Sequence, residues 1–308
     1  MRFVHTYWSK PALSNRWDVN KHQQIVANIW YYSLSVAYLK QLGQYIELHT
    51  DDFGKLCLDH IPYNNIYTDL NTVPDNIKPF MWAYGKFWGC KDLEPGYIHI
   101  DGDVFIKSQK TLDAIGYGHK VLVQGHEYVT DKHYIGALYD KTADVLKSMP
   151  YPEWSDPNCQ HAYNVGTLQI NDYNLKQRYF DTYFKYANYC CADPVISKKC
   201  SDSNGHYAPD LIFEQQWLYE ICNNTNVPVK TLLYNDAPNT NERFGLSFMN
   251  SANAIDYQHV IGIDKYKTQI IYKCRQVLQR LDPTLYENTL RKVKYIKEYL
   301  LANYETSN

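Results

Sequence analysis

The sequence lacks several features that would assign it to other classes of protein. Its eight cysteines form no Cys-x-x-Cys pair, which argues against a zinc cluster. Its net charge is −2, so no excess of basic residues indicates bulk binding of nucleic acid. The longest apolar-leaning run, residues 25–39, is shorter than a membrane span and predicts a buried helix. No internal repeat or low-complexity linker divides the chain.

Length, composition and the first residues predict the class of protein and its compartment. The chain has 308 residues, of which 45% are hydrophobic, enough for one large α/β domain or two small ones. A strand-like run, Phe3 to Tyr7, follows Met1 almost directly, so we expect no signal peptide. Cysteines without a secretory signal are expected to remain reduced, and the sequence therefore predicts a cytoplasmic protein.

Short apolar runs alternate with helical stretches along the chain, which predicts a mostly parallel sheet with flanking helices and a helical C-terminus. The predicted class is α/β, with a Rossmann-like sheet. Strands are predicted at residues 3–7, 45–49, 65–67, 97–100, 120–124, 163–171 and 229–233. Helices are predicted at residues 20–42, 78–91, 140–149, 175–189, 210–222, 268–281 and 284–303. The turn-forming residues of 190–208 predict a mobile loop.

Two segments far apart in the sequence fit one metal–diphosphate site. In the first, an apolar strand at residues 97–100 runs into Asp101 and Asp103. In the second, His259 is followed three residues on by Gly262 and six residues on by Lys265. Mg²⁺ and Mn²⁺ take oxygen ligands, and Mn²⁺ also accepts an imidazole nitrogen. Asp101, Asp103 and His259 are therefore the predicted ligands of a divalent cation.

The surroundings of the carboxylate pair favour this site over a solvated turn, which is the alternative for an isolated Asp-x-Asp triplet. Ligands of parallel sheets bind at the carboxyl ends of strands, where Asp101 and Asp103 fall. Gly262 would allow phosphate to approach the backbone, and Lys265 would place a positive charge on the diphosphate. We therefore expect an enzyme that handles a nucleotide diphosphate through a divalent cation.

The order of these motifs resembles the retaining GT-A glycosyltransferases of family 8, which includes glycogenin and the bacterial lipopolysaccharide galactosyltransferases. The family carries Thr and Tyr near the donor base on its first strand, and Thr6 and Tyr7 match them. Lys86 stands where the family usually has Arg on the helix before the Asp-x-Asp strand. The run Asn164-Val165-Gly166 resembles the family's Asn-Ser-Gly.

The closing motifs of the chain extend the resemblance to residue 267. Glu214-Gln215 resembles the family's Asp-Gln pair, with Glu in place of Asp. His259, Gly262 and Lys265 match its His-x-x-Gly-x-x-Lys, but Tyr266-Lys267 stands where the family has Pro-Trp. These changes indicate a divergent member.

The resemblance implies a retaining, hexosyltransferase-like enzyme that moves a sugar from a UDP-sugar to a glycan, lipid-linked or protein acceptor. It implies Mn²⁺ or Mg²⁺ on Asp101, Asp103 and His259. The donor would contact Thr6, Tyr7, Lys86, Asp101, Gly262 and Lys265. Catalysis would depend on Glu214, Gln215 and Lys265. The implied GT-A domain covers residues 1–267, with a nucleotide-binding part at about 1–110 and an acceptor part at about 111–267, and the C-terminal helices of 268–308 pack on it.

Two other functions are compatible with parts of the sequence. A non-catalytic nucleotide-sugar or glycan-binding protein would explain the changes at the Asp-Gln and Pro-Trp positions. A sugar-phosphate nucleotidyltransferase would also use a metal, but residues 9–12 do not form its Gly-rich basic loop. The last helix carries a basic face, which predicts a solvated surface, with weak contact to an anionic membrane as the minority alternative; its residues are Arg291, Lys292, Lys294 and Lys297.

Overall fold

The computed structural model describes residues 1–14, 19–129, 134–156, 158–202, 207–233, 254–260 and 263–304. A seven-stranded sheet lies at the centre of this part of the chain. The strands, numbered in chain order, are β1 (Arg2–Tyr7), β2 (Tyr45–Thr50), β3 (Asn65–Tyr67), β4 (Tyr97–Ile100), β5 (Val104–Ile106), β6 (Val121–Tyr128), β7 (His161–Ile170), β8 (Val229–Leu233) and β9 (Tyr257–His259).

The sheet is mostly parallel, as the sequence predicts. Its strand order is β3-β2-β1-β4-β7-β6-β8. Strand β7 runs antiparallel to both of its neighbours, β4 and β6, whereas the remaining neighbours pair in parallel. The two short strands β5 and β9 form a separate antiparallel pair. The parallel strands therefore present their carboxyl ends at one edge of the sheet.

Helices cover both faces of the sheet. They are α1 (Ser9–Leu13), α2 (Lys21–Gln41), α3 (Asp52–Leu58), α4 (Tyr84–Cys90), α5 (Gln109–Ile115), α6 (Tyr134–Leu146), α7 (Tyr173–Ala192), α8 (Pro194–Asp202), α9 (Trp217–Asn224), α10 (Thr268–Leu281) and α11 (Pro283–Tyr304). A π-helical segment, Leu211–Gln216, directly precedes α9. The C-terminal helices α10 and α11 both contact α2.

Two hydrophobic clusters occupy opposite faces of the sheet. Val121 and Val123 of β6 belong to one cluster and Leu122 to the other, as the two-residue period of a strand requires. Helices α4, α7 and α9 fill the first cluster, whereas α2, α10 and α11 fill the second. Because both faces are covered, apolar residues stand on both faces of a strand, as in Val121-Leu122-Val123 of β6.

The structure confirms the predicted α/β class and corrects three of the predicted elements, of which one is the helix predicted at 140–149, which spans Tyr134–Leu146 instead. The loop predicted at 190–208 is wrong over residues 190–202, because α7 continues to Ala192 and α8 follows. Ile196 and Cys200, four residues apart, bury one face of α8, although its polar residues obscure this short apolar stripe in the sequence. The helix predicted at 78–91 begins only at Tyr84 and is preceded by turns.

The cysteines, the length of the helices and the basic residues of the last helix were also subjects of the sequence predictions. All eight cysteines are free thiols. Among the residues described, no helix combines the length and the apolarity needed to cross a membrane. On the last helix, Lys292 Nζ lies 2.6 Å from the Asp59 carboxylate and donates to the Leu56 carbonyl at 3.0 Å. Lys292 is therefore held against α3 and does not belong to an exposed basic face.

Candidate metal and diphosphate site

The two carboxylates predicted as metal ligands lie where β4 leaves the sheet. The Asp101 amide donates a hydrogen bond to the Gly166 carbonyl at 2.9 Å, which ties the end of β4 to β7. The Val104 amide then donates to the Asp101 carbonyl at 3.0 Å and closes a tight turn. Within this turn, Asp103 is buried and Asp101 is partly exposed. Both side chains thus lie at the edge where α/β sheets bind ligands.

The short β5–β9 pair brings His259 to the carboxylates. Val104 lies opposite His259 in this pair, and the Val260 amide donates to the Asp103 carbonyl at 3.1 Å. His259 Nε2 lies 3.3 Å from Asp103 Oδ1. Asp101, Asp103 and His259 each offer one ligand atom, and these atoms lie within 4.8 Å of one another. The predicted convergence of the two sequence segments is therefore confirmed.

A buried glutamine orients the imidazole of His259. Gln124 Oε1 lies 2.7 Å from His259 Nδ1 and also accepts a hydrogen bond from the Tyr257 hydroxyl at 2.7 Å. Because Oε1 is an acceptor, Nδ1 carries a proton, and Nε2 is the ring nitrogen that lies on the side of Asp103. Gln124 is completely buried. The sequence analysis gives Gln124 no role. The only feature of the sequence that could have indicated one is its position directly after the apolar residues of β6.

Two glycines permit the close packing around these residues. A Cβ atom at Gly166 would lie 2.5 Å from both Gln124 Oε1 and His259 Cε1. A Cβ atom at Gly102, between the two carboxylates, would lie 2.1 Å from a ring carbon of Tyr32. Neither distance is compatible with a side chain. The absence of a side chain at both positions lets His259 and the Asp-Gly-Asp turn approach their neighbours.

Each carboxylate has a lysine partner. Lys86 Nζ lies 2.9 Å from Asp101 Oδ1 and 2.6 Å from Glu214 Oε1, whereas Lys265 Nζ lies 2.8 Å from Asp103 Oδ2. Burial opposes the charge on Lys86, but Asp101 and Glu214 outweigh burial and raise its pKa. Burial likewise opposes the charge on Asp103, but Lys265 and His259 hold the pKa of that carboxyl well below its usual range. Lys86 is therefore a cation and Asp103 an anion at neutral pH.

The π-helical segment places Glu214 in this network. Asp210, just before the segment, is buried and accepts hydrogen bonds from the Tyr183 hydroxyl at 2.6 Å and from the Ala83 amide at 2.8 Å. The Tyr179 hydroxyl donates to the Glu214 carbonyl. These contacts hold the segment against α7 and against the turn before α4, so that the Glu214 carboxylate reaches Lys86. Segments of this type are frequent at functional sites.

The network borders a cavity of about 210 Å³. Of the predicted site residues, Thr6, Lys86, Asp101, Asp103, Glu214 and Lys265 line it. Gly102 and six residues without a predicted role also line it, the six being Trp8, Asn28, Tyr32, Trp82, Ala83 and Tyr266. His259 is not among the described lining residues, but it contacts Asp103, which is. Tyr7 and Gln215 are not among the described lining residues, and Gly262 lies outside the described part of the chain.

Tyr7 and Thr6 lie on opposite sides of β1, which explains their different surroundings. Tyr7 is buried in the core, with its ring edge against Tyr32 at a centroid distance of 5.4 Å. The Thr6 hydroxyl lies 3.0 Å from His99 Nε2. Burial and the charge of Lys86 lower the pKa of His99 well below its ordinary value, so this imidazole is neutral. His99 is a neutral partner of Thr6 in the wall behind the cavity.

The donor set suits a hard or borderline divalent cation. Two carboxylates and an imidazole whose Nε2 faces them match the oxygen and nitrogen ligands that Mn²⁺ accepts. Asp103 is already anionic, so no ligand proton has to be removed from it before a cation binds. The two lysines next to the carboxylates would attract a polyanion such as a diphosphate.

The strand order, the single antiparallel strand within the parallel series and the helices on both faces give a mostly parallel, Rossmann-like α/β fold. The chain belongs to a family of unknown function, DUF6734, whose model matches residues 1–292. The comparison with curated protein sequences gives no match.

Two solved glycosyltransferase structures are similar to the chain. The galactosyltransferase LgtC, in complex with donor and acceptor sugar analogues, is 10% identical, with a TM-score of 0.45 over 94% of this chain and 100% of LgtC. Mouse xyloside xylosyltransferase 1, in its apo form, is 13% identical, with a TM-score of 0.37 over 75% of this chain and 84% of the mouse chain.

Proposed function

We propose that this protein is a glycosyltransferase that transfers a sugar from a nucleotide-diphosphate sugar, a UDP-sugar, with the help of Mn²⁺ or Mg²⁺. The observation that carries the proposal is the gathering of Asp101, Asp103 and His259 at the carboxyl edge of the sheet, beside Lys86 and Lys265. Carboxylates alone would bind a cation, and lysines alone would bind an anion. Their combination in one cavity suits a cation and a diphosphate bound together.

The three ligands and Lys265 would serve the leaving diphosphate. Asp101, Asp103 and His259 would hold the cation, which supplies Lewis-acid neutralisation of the charge that develops on the diphosphate. The Tyr31 hydroxyl donates to the Lys265 carbonyl and so anchors this residue, whose ammonium group pairs with Asp103 in the structure. A diphosphate oxygen bound beside Asp103 would lie within reach of that ammonium group. Lys265 would therefore stabilise the leaving group.

Glu214 would act at the sugar. Its carboxylate is buried, lines the cavity and pairs with Lys86. An anion in that position stabilises positive charge on the anomeric carbon as the bond to the diphosphate breaks. Gln215, the next residue, is the second candidate from the sequence. Retention of configuration at the anomeric carbon is implied by the family resemblance, and NMR of the product would determine it.

The acceptor is a glycan, a lipid-linked glycan or a protein in this proposal, and the compartment is the cytoplasm. The eight free thiols favour a reducing compartment. The lining of the cavity contains two lysines and three carboxylates, a balance that suits one diphosphate with its cation rather than a nucleic-acid backbone.

Incubation with a panel of UDP-sugars and Mn²⁺ tests the proposal. We expect slow release of UDP, which Asp103→Asn abolishes and Asp181→Asn, an exposed change on α7, leaves intact. Binding of the UDP-sugar without any release of UDP would favour the non-catalytic binding protein. Formation of pyrophosphate from a sugar phosphate and a nucleoside triphosphate would favour the nucleotidyltransferase.

A further inference from the structure

A second cavity, of about 440 Å³, lies between α9 and the segment that leads into β7. Its lining differs chemically from that of the first cavity. Among the described residues that line it, aromatic rings and side-chain amides predominate, and none is Lys or Arg. The described lining therefore offers an anionic ligand no cation apart from a protonated histidine, and the guanidinium of Arg178, outside the lining, lies 5.7 Å from the centroid of the Trp154 ring.

One wall of this cavity is aromatic. The rings of Tyr219 and His161 are 4.9 Å apart between centroids and nearly parallel, at 23°. His126, just behind, is parallel to Tyr219 within 4° and lies 5.4 Å away. Trp154 lines the same cavity and packs edge-on against the buried Trp217 at 5.9 Å. Such rings offer flat apolar faces that are held in place by their neighbours.

A buried carboxyl group lies next to these rings. Glu220 is only 4% exposed, its Oε1 accepts a hydrogen bond from the Asp156 amide at 3.0 Å, and its Oε2 has no hydrogen-bond partner within the described parts of the chain. Burial raises the pKa of Glu220 to about 7, although hydrogen bonding with Ser155 and the Asp156 backbone opposes the shift. A buried acceptor without a partner is costly, so a ligand hydroxyl that donates to it would be favoured.

The second cavity is connected to the first by two structural elements. Strand β7 runs from Gly166, beside His259, back to His161, a distance of roughly 16 Å at the rise of a strand. The helical segment runs from Glu214 in the first cavity to Glu220 in the second, roughly 9 Å at the rise of a helix. The two cavities are therefore neighbours along the same two elements.

We propose that the second cavity binds a neutral carbohydrate. A sugar ring has an apolar C–H face that suits Tyr219, His161 and Trp154, and hydroxyls that both donate and accept hydrogen bonds. Sugar hydroxyls would donate hydrogen bonds to Glu220 Oε2. The side-chain amide groups of Asn223 and Asn158 would supply both donors and acceptors. That this carbohydrate is part of the acceptor rests on the proposed function, whereas its binding rests on the cavity alone.

Saturation-transfer NMR on the full chain, without nucleotide or metal, tests the inference. The probes are lactose, maltose and cellobiose, with glucosamine and glucuronate as charged sugars. We expect transfer to at least one neutral disaccharide, weakened roughly 2–10-fold by Tyr219→Ala, the range that loss of one aromatic contact gives. Asn223→Ala, an exposed change, should weaken binding too, and Tyr219→Phe should preserve most of it.

Matched controls separate this site from the first one. Tyr117→Ala removes an exposed tyrosine elsewhere and should leave disaccharide binding unchanged, as should Asp103→Asn. Circular dichroism and thermal unfolding establish that each variant folds. Absence of transfer to all three disaccharides, equal transfer in wild type, Tyr219→Ala and Asn223→Ala, binding of the charged sugars alone, or loss of binding in Asp103→Asn would each overturn the inference. Disaccharide binding without UDP release would retain this site and refute the proposed transferase.

Discussion

His259 donates a hydrogen bond through Nδ1 to Oε1 of Gln124 at 2.7 Å, although 135 residues separate the two in the sequence. Gln124 is completely buried in β6, so core packing fixes the position of its carboxamide. The hydrogen bond sets both the tautomer and the orientation of the imidazole, and it leaves Nε2 on the side of Asp103. The core of the sheet thereby orients a candidate metal ligand.

Gln124→Ala should lower the affinity for Mn²⁺ roughly 10–100-fold, the usual effect of losing a group that orients a ligand. Titration calorimetry of Mn²⁺ into the purified protein measures it. Gln169→Ala is the matched control, because Gln169 is a buried glutamine of β7 whose Oε1 pairs with His119. If both variants bind Mn²⁺ as wild type does, Gln124 has no part in orienting His259.

The sequence predicts the fold class well because short strand-like runs alternate with helical stretches along the chain. The strands Asn65–Tyr67, Tyr97–Ile100 and Val229–Leu233 have the bounds that the pattern predicts. Strands β5 and β9 escape prediction because three residues are too short to reveal a period. Yet these two strands bring His259 to Asp103, so the convergence was expected only from the motifs and the resemblance.

The candidate site was predicted in part. The structure brings the carboxylates, His259 and both lysines together. The sequence predicts these residues because charged residues that follow apolar runs form recognisable motifs. The roles of Gln124, Gly166 and Tyr32 were not visible, since each depends on contacts between distant elements. The pairing of Lys86 with Glu214 depends on the π-helical segment, which no sequence pattern specifies.

Gly166→Ala should disturb His259 more than it disturbs the fold. The added Cβ would meet Gln124 Oε1 and His259 Cε1 at 2.5 Å, and overpacking of this kind costs about 1–3 kcal/mol. We expect a lower melting temperature together with weaker Mn²⁺ binding by calorimetry. Gly125→Ala, in the neighbouring strand, is the control, because its nearest atom would be 3.6 Å away. Unchanged Mn²⁺ affinity in Gly166→Ala would contradict the packing argument.

Lys265→Ala should lower turnover more than it raises the donor KM. Charge on the leaving diphosphate is greatest in the transition state, so a lysine that neutralises it contributes mainly to kcat. Steady-state rates of UDP release at several UDP-sugar concentrations separate the two effects. Lys273→Ala, an exposed change on α10, should alter neither constant. A raised KM with unchanged kcat would assign Lys265 to ground-state binding alone.

The stability of the protein should depend on the protonation of Glu220. Its pKa is about 7 in the folded chain, above the ordinary value of 4.5, so its stabilising effect is full below pH 4.5 and is lost as the pH rises through 7. The free energy of unfolding of wild type relative to Glu220→Gln should therefore fall by on the order of 2 kcal/mol between pH 5 and 8. Urea titrations across this range measure it.

Glu153→Gln is the control for this pH dependence, because Glu153 is exposed in the same segment of the surface. The difference in the free energy of unfolding between wild type and Glu153→Gln should stay constant over the same pH range. A constant difference between wild type and Glu220→Gln would mean that the Glu220 carboxyl titrates as it does in water.

The dependence of UDP binding on both Mn²⁺ and Asp103 tests the central claim most directly. Titration calorimetry of UDP should give binding by wild type with Mn²⁺, little binding after chelation of the metal, and at least about ten-fold weaker binding by Asp103→Asn, because removing one ligand of three weakens metal and nucleotide together. Asp181→Asn should bind as wild type does. Equal UDP affinity of Asp103→Asn and wild type in Mn²⁺ would contradict the assignment of this site to a metal and a nucleotide diphosphate.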